Sequence, residues 1–315
     1  MMAPGFWRQD GLVPRLLAPA AFVFAAATRR RIRRPGWRAP VPVLCCGNAG
    51  VGGAGKTTVV LDLATRLRGR GVAVHCLTRG YGGRVRGVLR VDPAQHDAGL
   101  VGDEPLLLAA VAPTWVGADR AQSARQAVAA GAQALLMDDG LQNPGLVKTA
   151  SLLVVDGAVG FGNGRVMPAG PLREDPAEAA ARCRACVMIG ADAGQAGRRL
   201  GALPVLAASL EPDRRLDGAR VFAICGIARP SKFVETLREA GAVVAGSALF
   251  ADHHRFTGAE IERALAQASV LDARPITTAK DAVRWPSASR IEVLGVRLRW
   301  QDEGAVERLL DEVMA

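Results

Sequence analysis

Gly50-Val51-Gly52-Gly53-Ala54-Gly55-Lys56-Thr57 has the residue types and the spacing of a phosphate cradle. Its glycines allow backbone N–H groups to turn inward, and a helix N-terminus behind them adds partial positive charge. Gly50, Gly52, Gly53, Ala54 and Gly55 would line the cradle. Lys56 would reach the outer phosphates of ATP, and Thr57 would offer its hydroxyl to Mg2+, with Thr58 next in the same turn. The acidic pair Asp138-Asp139 ends the apolar run 134–137. That is the position of a Walker B carboxylate that holds Mg2+ directly or through water. Gln142, just beyond, would lie near the phosphates.

Three other segments carry chemical side chains but are ambiguous by themselves. Gly102-Asp103-Glu104-Pro105 reads as an ordinary helix start, with acids in the first turn. Asp252-His253-His254 falls in a loop, where a solvated turn is the plain reading, and Arg173-Glu174 reads equally well as surface charge. Cys183 and Cys186 have a metal or redox half-site spacing, but no second pair completes it. The six cysteines fit reduced thiols that act mostly as small apolar residues.

The elements that must position these groups follow an α/β pattern. The apolar run 41–46 is a predicted strand ahead of the glycine loop, and 58–68 a helix behind it. Further strands are predicted at 72–77, 88–91, 115–117, 134–137, 152–155 and 186–189, with helices at 106–111 and 120–130 between them. A second series has strands at 221–224, from 243, 275–278 and 291–296, and helices at 232–240, 260–268 and 306–313. Near-continuous apolar strands alternating with helices imply a parallel sheet covered on both faces. The reading is a P-loop NTPase-type domain over 39–212 and a smaller α/β domain over 213–315 that closes a cleft. The final helix is a candidate to pack back on the first domain.

Half of the residues are hydrophobic and 22% are charged, so the chain has the material for a large core. Of the net charge of +10, the first forty residues supply most: Arg8, Arg15, Arg29, Arg30, Arg31, Arg33, Arg34 and Arg38 stand against Asp10 alone. The remainder is close to neutral and aromatics are only 4%, which removes the stacking platform that a nucleic-acid binder needs. The apolar run 16–27 is shorter than the roughly 20 residues that span a bilayer. Flanked by arginines, with Trp7 and Trp37 outside them, segment 1–38 reads as lying on an anionic membrane. A buried first helix and an export signal compete with that reading.

Taken together, the motifs resemble the tetraacyldisaccharide 4'-kinase (lipid A 4'-kinase) family. The resemblance runs over most of the chain. It rests on Gly47-Asn48 leading into the glycine loop, Thr78-Arg79-Gly80-Tyr81-Gly82, Gly102-Asp103-Glu104-Pro105, Asp138-Asp139-Gly140-Leu141-Gln142 and Gly170-Pro171-Leu172-Arg173-Glu174. It continues through Gly226-Ile227-Ala228-Arg229-Pro230, Asp252-His253 and Thr277-Thr278-Ala279-Lys280-Asp281-Ala282. Thr58 stands where the family usually has Pro, and Ala228 where it usually has Gly.

The resemblance implies transfer of the γ-phosphoryl group of ATP to the 4'-hydroxyl of a tetraacylated disaccharide 1-phosphate, giving lipid IVA. The work would be done at the cytoplasmic face of the bacterial inner membrane. Asp103 and His253 would then be an acid–base pair, Lys56 and Thr57 would handle phosphates and Mg2+, and Asp138 and Asp139 would bind or orient the metal. Arg173 would neutralise charge, Glu174 would touch the nucleotide, and Arg79 and Tyr81 would face the lipid headgroup. The implied partners are the lipid A disaccharide 1-phosphate precursor and the anionic inner-membrane surface, with no obligate protein partner. The alternative is a membrane-associated regulatory or partitioning ATPase that uses its nucleotide as a switch. Such a protein leaves Asp103 and Asp252-His253 without a task.

Overall fold

The structure, a computed structural model, describes residues 4–7, 9–285 and 291–315. Arg8 of the N-terminal arginine group lies outside them. The chain opens with two helices, α1 (Leu12–Leu16) and α2 (Ala18–Ile32). There follow β1 (Val43–Gly47), α3 (Lys56–Gly69), β2 (Val74–Thr78), β3 (Val88–Arg90), α4 (Ala98–Val101), α5 (Asp103–Ala109) and β4 (Thr114–Gly117). Next come α6 (Arg120–Ala129), β5 (Ala134–Asp138), β6 (Ala150–Asp156), α7 (Pro176–Ala180), β7 (Ala185–Ile189) and β8 (Val205–Pro212).

A second lobe holds β9 (Arg220–Cys225), α8 (Pro230–Glu239), β10 (Val243–Leu249), α9 (Gly258–Val270), β11 (Arg274–Thr278), α10 (Ala279–Ala282) and β12 (Glu292–Leu294). The chain ends with β13 (Val296–Trp300) and α11 (Glu303–Met314).

The first sheet has nine strands in the order β13-β8-β7-β6-β1-β5-β2-β4-β3, parallel except for the antiparallel edge strands β3 and β13. β1 is central, with every residue buried. This is the doubly wound α/β architecture in which ligands bind beyond the carboxyl ends of the strands. The P-loop, Asp138 and Arg79 all follow the carboxyl ends of β1, β5 and β2. Behind the loop, α3 buries Val59, Val60, Leu63, Ala64 and Leu67 against the sheet. Each fully buried aliphatic side chain contributes about 1.5–3 kcal/mol, so the helix that carries Lys56 and Thr57 is firmly seated.

The second sheet, β10-β9-β11-β12, is wholly parallel. Two connections join it to the first, and they run side by side. Asp213 N donates to Gly295 O, and Gly295 N to the Asp213 carboxylate, both at 3.1 Å. A predicted strand at 291–296 is in fact two strands in different sheets, divided at Gly295. No strand is predicted over β8 because, next to the edge, it is only half-buried and lacks a continuous apolar run. Its antiparallel partner β13 arrives more than eighty positions later, with Leu298 and Trp300 turned into the core. α11 joins the same core through Val306, Leu309, Leu310 and Val313, and Arg66 and Arg70 of α3 pair with its acids.

At the N-terminus Leu12, Leu16, Phe22 and Val23 are all at least 67% exposed. Among the described residues no helix is long and apolar enough to cross a membrane. The two tryptophans expected at an interface are held on the protein instead. Trp37 packs against the cluster under β1 and β5 with the Arg125 guanidinium 4.7 Å over its ring, and Trp7 donates to Pro168 O.

Candidate active site

The phosphate loop is laced to the segment that carries Arg173. Val51 N donates to Pro171 O at 2.8 Å and Arg173 N to Ala49 O at 2.7 Å, with Gly50 bridged to Leu172. Gly55, the N-cap of α3, has φ 82°, and a Cβ there would meet Ile189 Cδ1 at 2.6 Å, so only glycine fits. Among the described residues the N–H groups of Gly53, Ala54, Gly55 and Lys56 donate to no backbone carbonyl. A row of free N–H donors at a helix start is what an anion needs.

Lys56 Nζ lies 3.2 Å from Asn48 Oδ1 and 3.8 Å from Asp139. Thr57 Oγ1 donates to Asp138 Oδ2 at 2.9 Å, while the buried Asp138 Oδ1 has no partner among the described residues. The environment drives the neighbouring carboxyls in opposite directions. Burial, aided by Glu104 and opposed by Lys56, pushes Asp138 up to about 7. Burial also acts to raise Asp139, but Lys56 and Arg173 outweigh it and hold it below the usual range. Asp139 takes a bidentate grip from Arg173, Nη1 to Oδ1 at 2.9 Å and Nη2 to Oδ2 at 3.1 Å, so it is already neutralised. A buried carboxyl with an orphaned oxygen beside a threonine hydroxyl fits a hard divalent cation. Thr57 and Asp138 are therefore the residues that would hold Mg2+, with Asp139 anchoring Arg173 and Lys56.

A second constellation joins the two lobes. His253 Nδ1 stands 2.8 Å from Asp103 Oδ2, across 150 residues of sequence. Asp103 is the first residue of α5 and is buried. Gly102 before it has φ 91°, and a Cβ there would meet Tyr81 O at 2.6 Å. His253 itself takes a left-handed φ of 59°, and its N–H donates to Gly226 O. The loop around it is pinned by aromatic packing: Phe250 stacks on His254 at 4.7 Å and Phe256 lies 5.0 Å from Trp285. Lys280 Nζ is 3.3 Å from His253 Nε2 and 3.7 Å from both Glu104 and Asp252. An ammonium only donates, so Nε2 accepts and Nδ1 carries the proton that bonds Asp103. α5 also packs against α3, and the Glu104 charge is felt at Asp138. The pair thus opens on the same sheet edge as the cradle.

A model of the tetraacyldisaccharide-1-P 4'-kinase family matches residues 13–315. The chain belongs to this family. It is 56% identical to a tetraacyldisaccharide 4'-kinase of Gluconacetobacter diazotrophicus over 99% of this chain and 98% of that one. It is 52% identical to one of Rhodospirillum centenum over 100% and 97%. Its fold is similar to that of LpxK from Aquifex aeolicus, solved in complex with ATP, with a TM-score of 0.79 at 22% identity, covering 96% of this chain and all of that one.

Gln142, expected near the phosphates, and Glu174, expected at the nucleotide, are buried beneath the loop. Gln142 Nε2 donates to Asn48 O and to Glu174, both at 2.8 Å, and Glu174 pairs with Arg182 at 2.6 Å. They brace Asn48 and Arg173 from behind. Arg79 and Tyr81 are exposed, and Tyr81 lies 5.8 Å from the His253 ring, at the mouth of the pair. Thr58 occupies the first turn of α3, half-buried.

Several site residues had no sequence signal of their own. Asn48 entered only as part of the family resemblance. Arg120 is the first residue of a predicted helix, yet it is buried, its Nε has no partner among the described residues, and burial lowers it to about 10 against the pull of Asp139 and Asp138. A signal was available for Lys280: 36 of the 40 basic residues are Arg, so each Lys marks a place where a guanidinium does not serve.

Proposed function

We propose that the chain transfers the γ-phosphoryl group of ATP to the 4'-hydroxyl of tetraacyldisaccharide 1-phosphate, with Asp103 taking the hydroxyl proton. The observation that carries this reading is the Asp103–His253 hydrogen bond, made across two lobes on the edge where the cradle opens. A nucleotide switch has no use for a buried aspartate oriented by a histidine. A kinase acting on an alcohol does, because the hydroxyl must lose its proton as the new O–P bond forms and ADP leaves.

His253 orients the carboxylate through Nδ1–H. Lys56 and the free N–H groups neutralise phosphate charge, and Arg173 and the buried Arg120 add cations near the acidic pair. Mg2+, held by Thr57 and Asp138, would supply further charge neutralisation at the phosphates. Tyr81 and Arg79 face the acceptor side.

The acceptor carries acyl chains, so its headgroup stays at a lipid surface. Exposed Leu12, Leu16, Phe22 and Val23, followed by Arg29, Arg30 and Arg31, would seat the protein on the anionic cytoplasmic face of the inner membrane. The purified protein with MgATP and detergent-dispersed tetraacyldisaccharide 1-phosphate is expected to give a 4'-phosphorylated product. ATP turnover that answers to a protein partner but never to this lipid would overturn the assignment. Leu16→Asp with Phe22→Asp should abolish co-sedimentation with anionic vesicles while sparing transfer in detergent; unchanged co-sedimentation contradicts the membrane role.

A further inference from the structure

We propose that Arg284 is a positioning residue for phosphoryl transfer: from the second lobe it fixes the place of the Asp103 carboxylate. This deepens the kinase reading above and rests on it. Arg284 follows α10, and both its side chain and that of Asp103 are nearly inaccessible, at 4% and 6% exposure. Its Nε lies 3.3 Å from Asp103 Oδ2 and has no hydrogen-bond acceptor of its own among the described residues.

The other nitrogens of the guanidinium are committed. Nη1 donates to His254 O at 2.9 Å, Nη2 donates to Gly226 O at 3.0 Å, and Nη2 also pairs with Asp281. The two carbonyls belong to the loops that hold His253: His254 is its neighbour, and Gly226 O also accepts its N–H. Asp281, fully buried, is in turn held by Gly226 N at 3.1 Å and Thr278 Oγ1 at 2.7 Å. The guanidinium is thus clamped in the second lobe, and Nε, its one nitrogen without an acceptor among the described residues, lies against the first lobe, 3.3 Å from the carboxylate that His253 also touches.

A purely structural arginine would be complete with Asp281 and the two carbonyls. The reach to Asp103 adds nothing to the second lobe's own fold. The charges facing Asp103 are few. His253 and Arg284 approach Oδ2 directly, while Lys280 beyond His253 is already engaged by Glu104 and Asp252. Asp281 sits behind Arg284. Arg284 is therefore the permanent cation beside the base, and it fixes where that carboxylate stands when the acceptor hydroxyl arrives. A lysine keeps the charge but cannot reproduce the fork that meets two carbonyls and two carboxylates.

Five variants of the full chain test this, using transfer kinetics and thermal unfolding. Arg284→Gln should lower kcat roughly 10- to 100-fold with the KM for ATP within about twofold. Arg284→Lys should restore part of kcat. Asp281→Asn should cost thermal stability at least as much as Arg284→Gln while lowering kcat far less. If Arg284→Gln does not fold, the double variant Asp281→Asn with Arg284→Gln, which removes both buried charges together, carries the same readouts. An unchanged kcat without the guanidinium, or a kcat loss that Asp281→Asn reproduces in full, overturns the role. Asp103→Asn separates the layers: surviving transfer there overturns the base itself, whereas lost transfer there with a wild-type Arg284→Gln overturns only Arg284.

Discussion

The phosphate cradle and the Asp103–His253 pair share one sheet edge but are built in opposite ways. The cradle is local. β1, the glycine loop and the first turn of α3 come from fifteen consecutive residues, 43–57, and only the acidic pair of β5 and the braced Arg173 come from farther away. The pair is remote: its two members lie 150 residues apart and in different lobes. On the proposed reading, holding ATP needs the first lobe alone, whereas activating the acceptor needs both lobes in contact, and that contact includes two side-by-side connections at Asp213 and Gly295 and the packing of α10 against α5. In such a design the reactive hydroxyl meets a base only when the lobes meet, which limits transfer to water.

That contrast can be broken or sharpened in order of expected effect. Lys56→Ala strikes the cradle and should lower transfer by roughly 1000-fold or more, together with ATP affinity, in a protein of unchanged fold by circular dichroism. His253→Ala strikes the remote pair and should lower kcat about 100-fold with ATP affinity, by calorimetry, almost unchanged. Parallel losses of both quantities would erase the distinction. Gly102→Ala places a side chain at φ 91° against Tyr81 O, so it should cost about 1–3 kcal/mol in denaturant unfolding and about tenfold in kcat by displacing Asp103. The smallest effect concerns the lobe contact at Asp156, whose carboxylate pairs with Arg229 and lies 3.6 Å from Lys232. Both cations are over a third exposed, and such pairs contribute about 1 kcal/mol or less, so Asp156→Asn should slow transfer about two- to fivefold. ATP affinity should not follow.

The same contrast explains what was legible in the sequence. The cradle could be read directly because glycine spacing, a preceding apolar strand and a following helix are all local signals. The α/β alternation was legible for the same reason, since buried parallel strands are short apolar runs. β8 and β13 were not, because neither is a continuous buried apolar run and their mutual pairing joins segments more than eighty positions apart. Asp103 and His253 had no distinguishing local pattern; they became candidates through family resemblance, and their hydrogen bond is a product of the fold. Gln142 was singled out by its place beside the acidic pair and Glu174 by the family resemblance, and neither signal shows which way a side chain turns. Burial turned them inward, where they satisfy Asn48 O, Arg173 and Arg182.

The central claim is that the remote carboxylate serves the acceptor and not the nucleotide. It is tested most directly by measuring ATP dissociation and phosphoryl transfer side by side on Asp103→Asn, with MgATP and detergent-dispersed tetraacyldisaccharide 1-phosphate. The account predicts an ATP affinity within about twofold of the unaltered chain and a transfer rate at least roughly 100-fold lower. Transfer at an undiminished rate, or a loss explained entirely by weaker ATP binding, contradicts it.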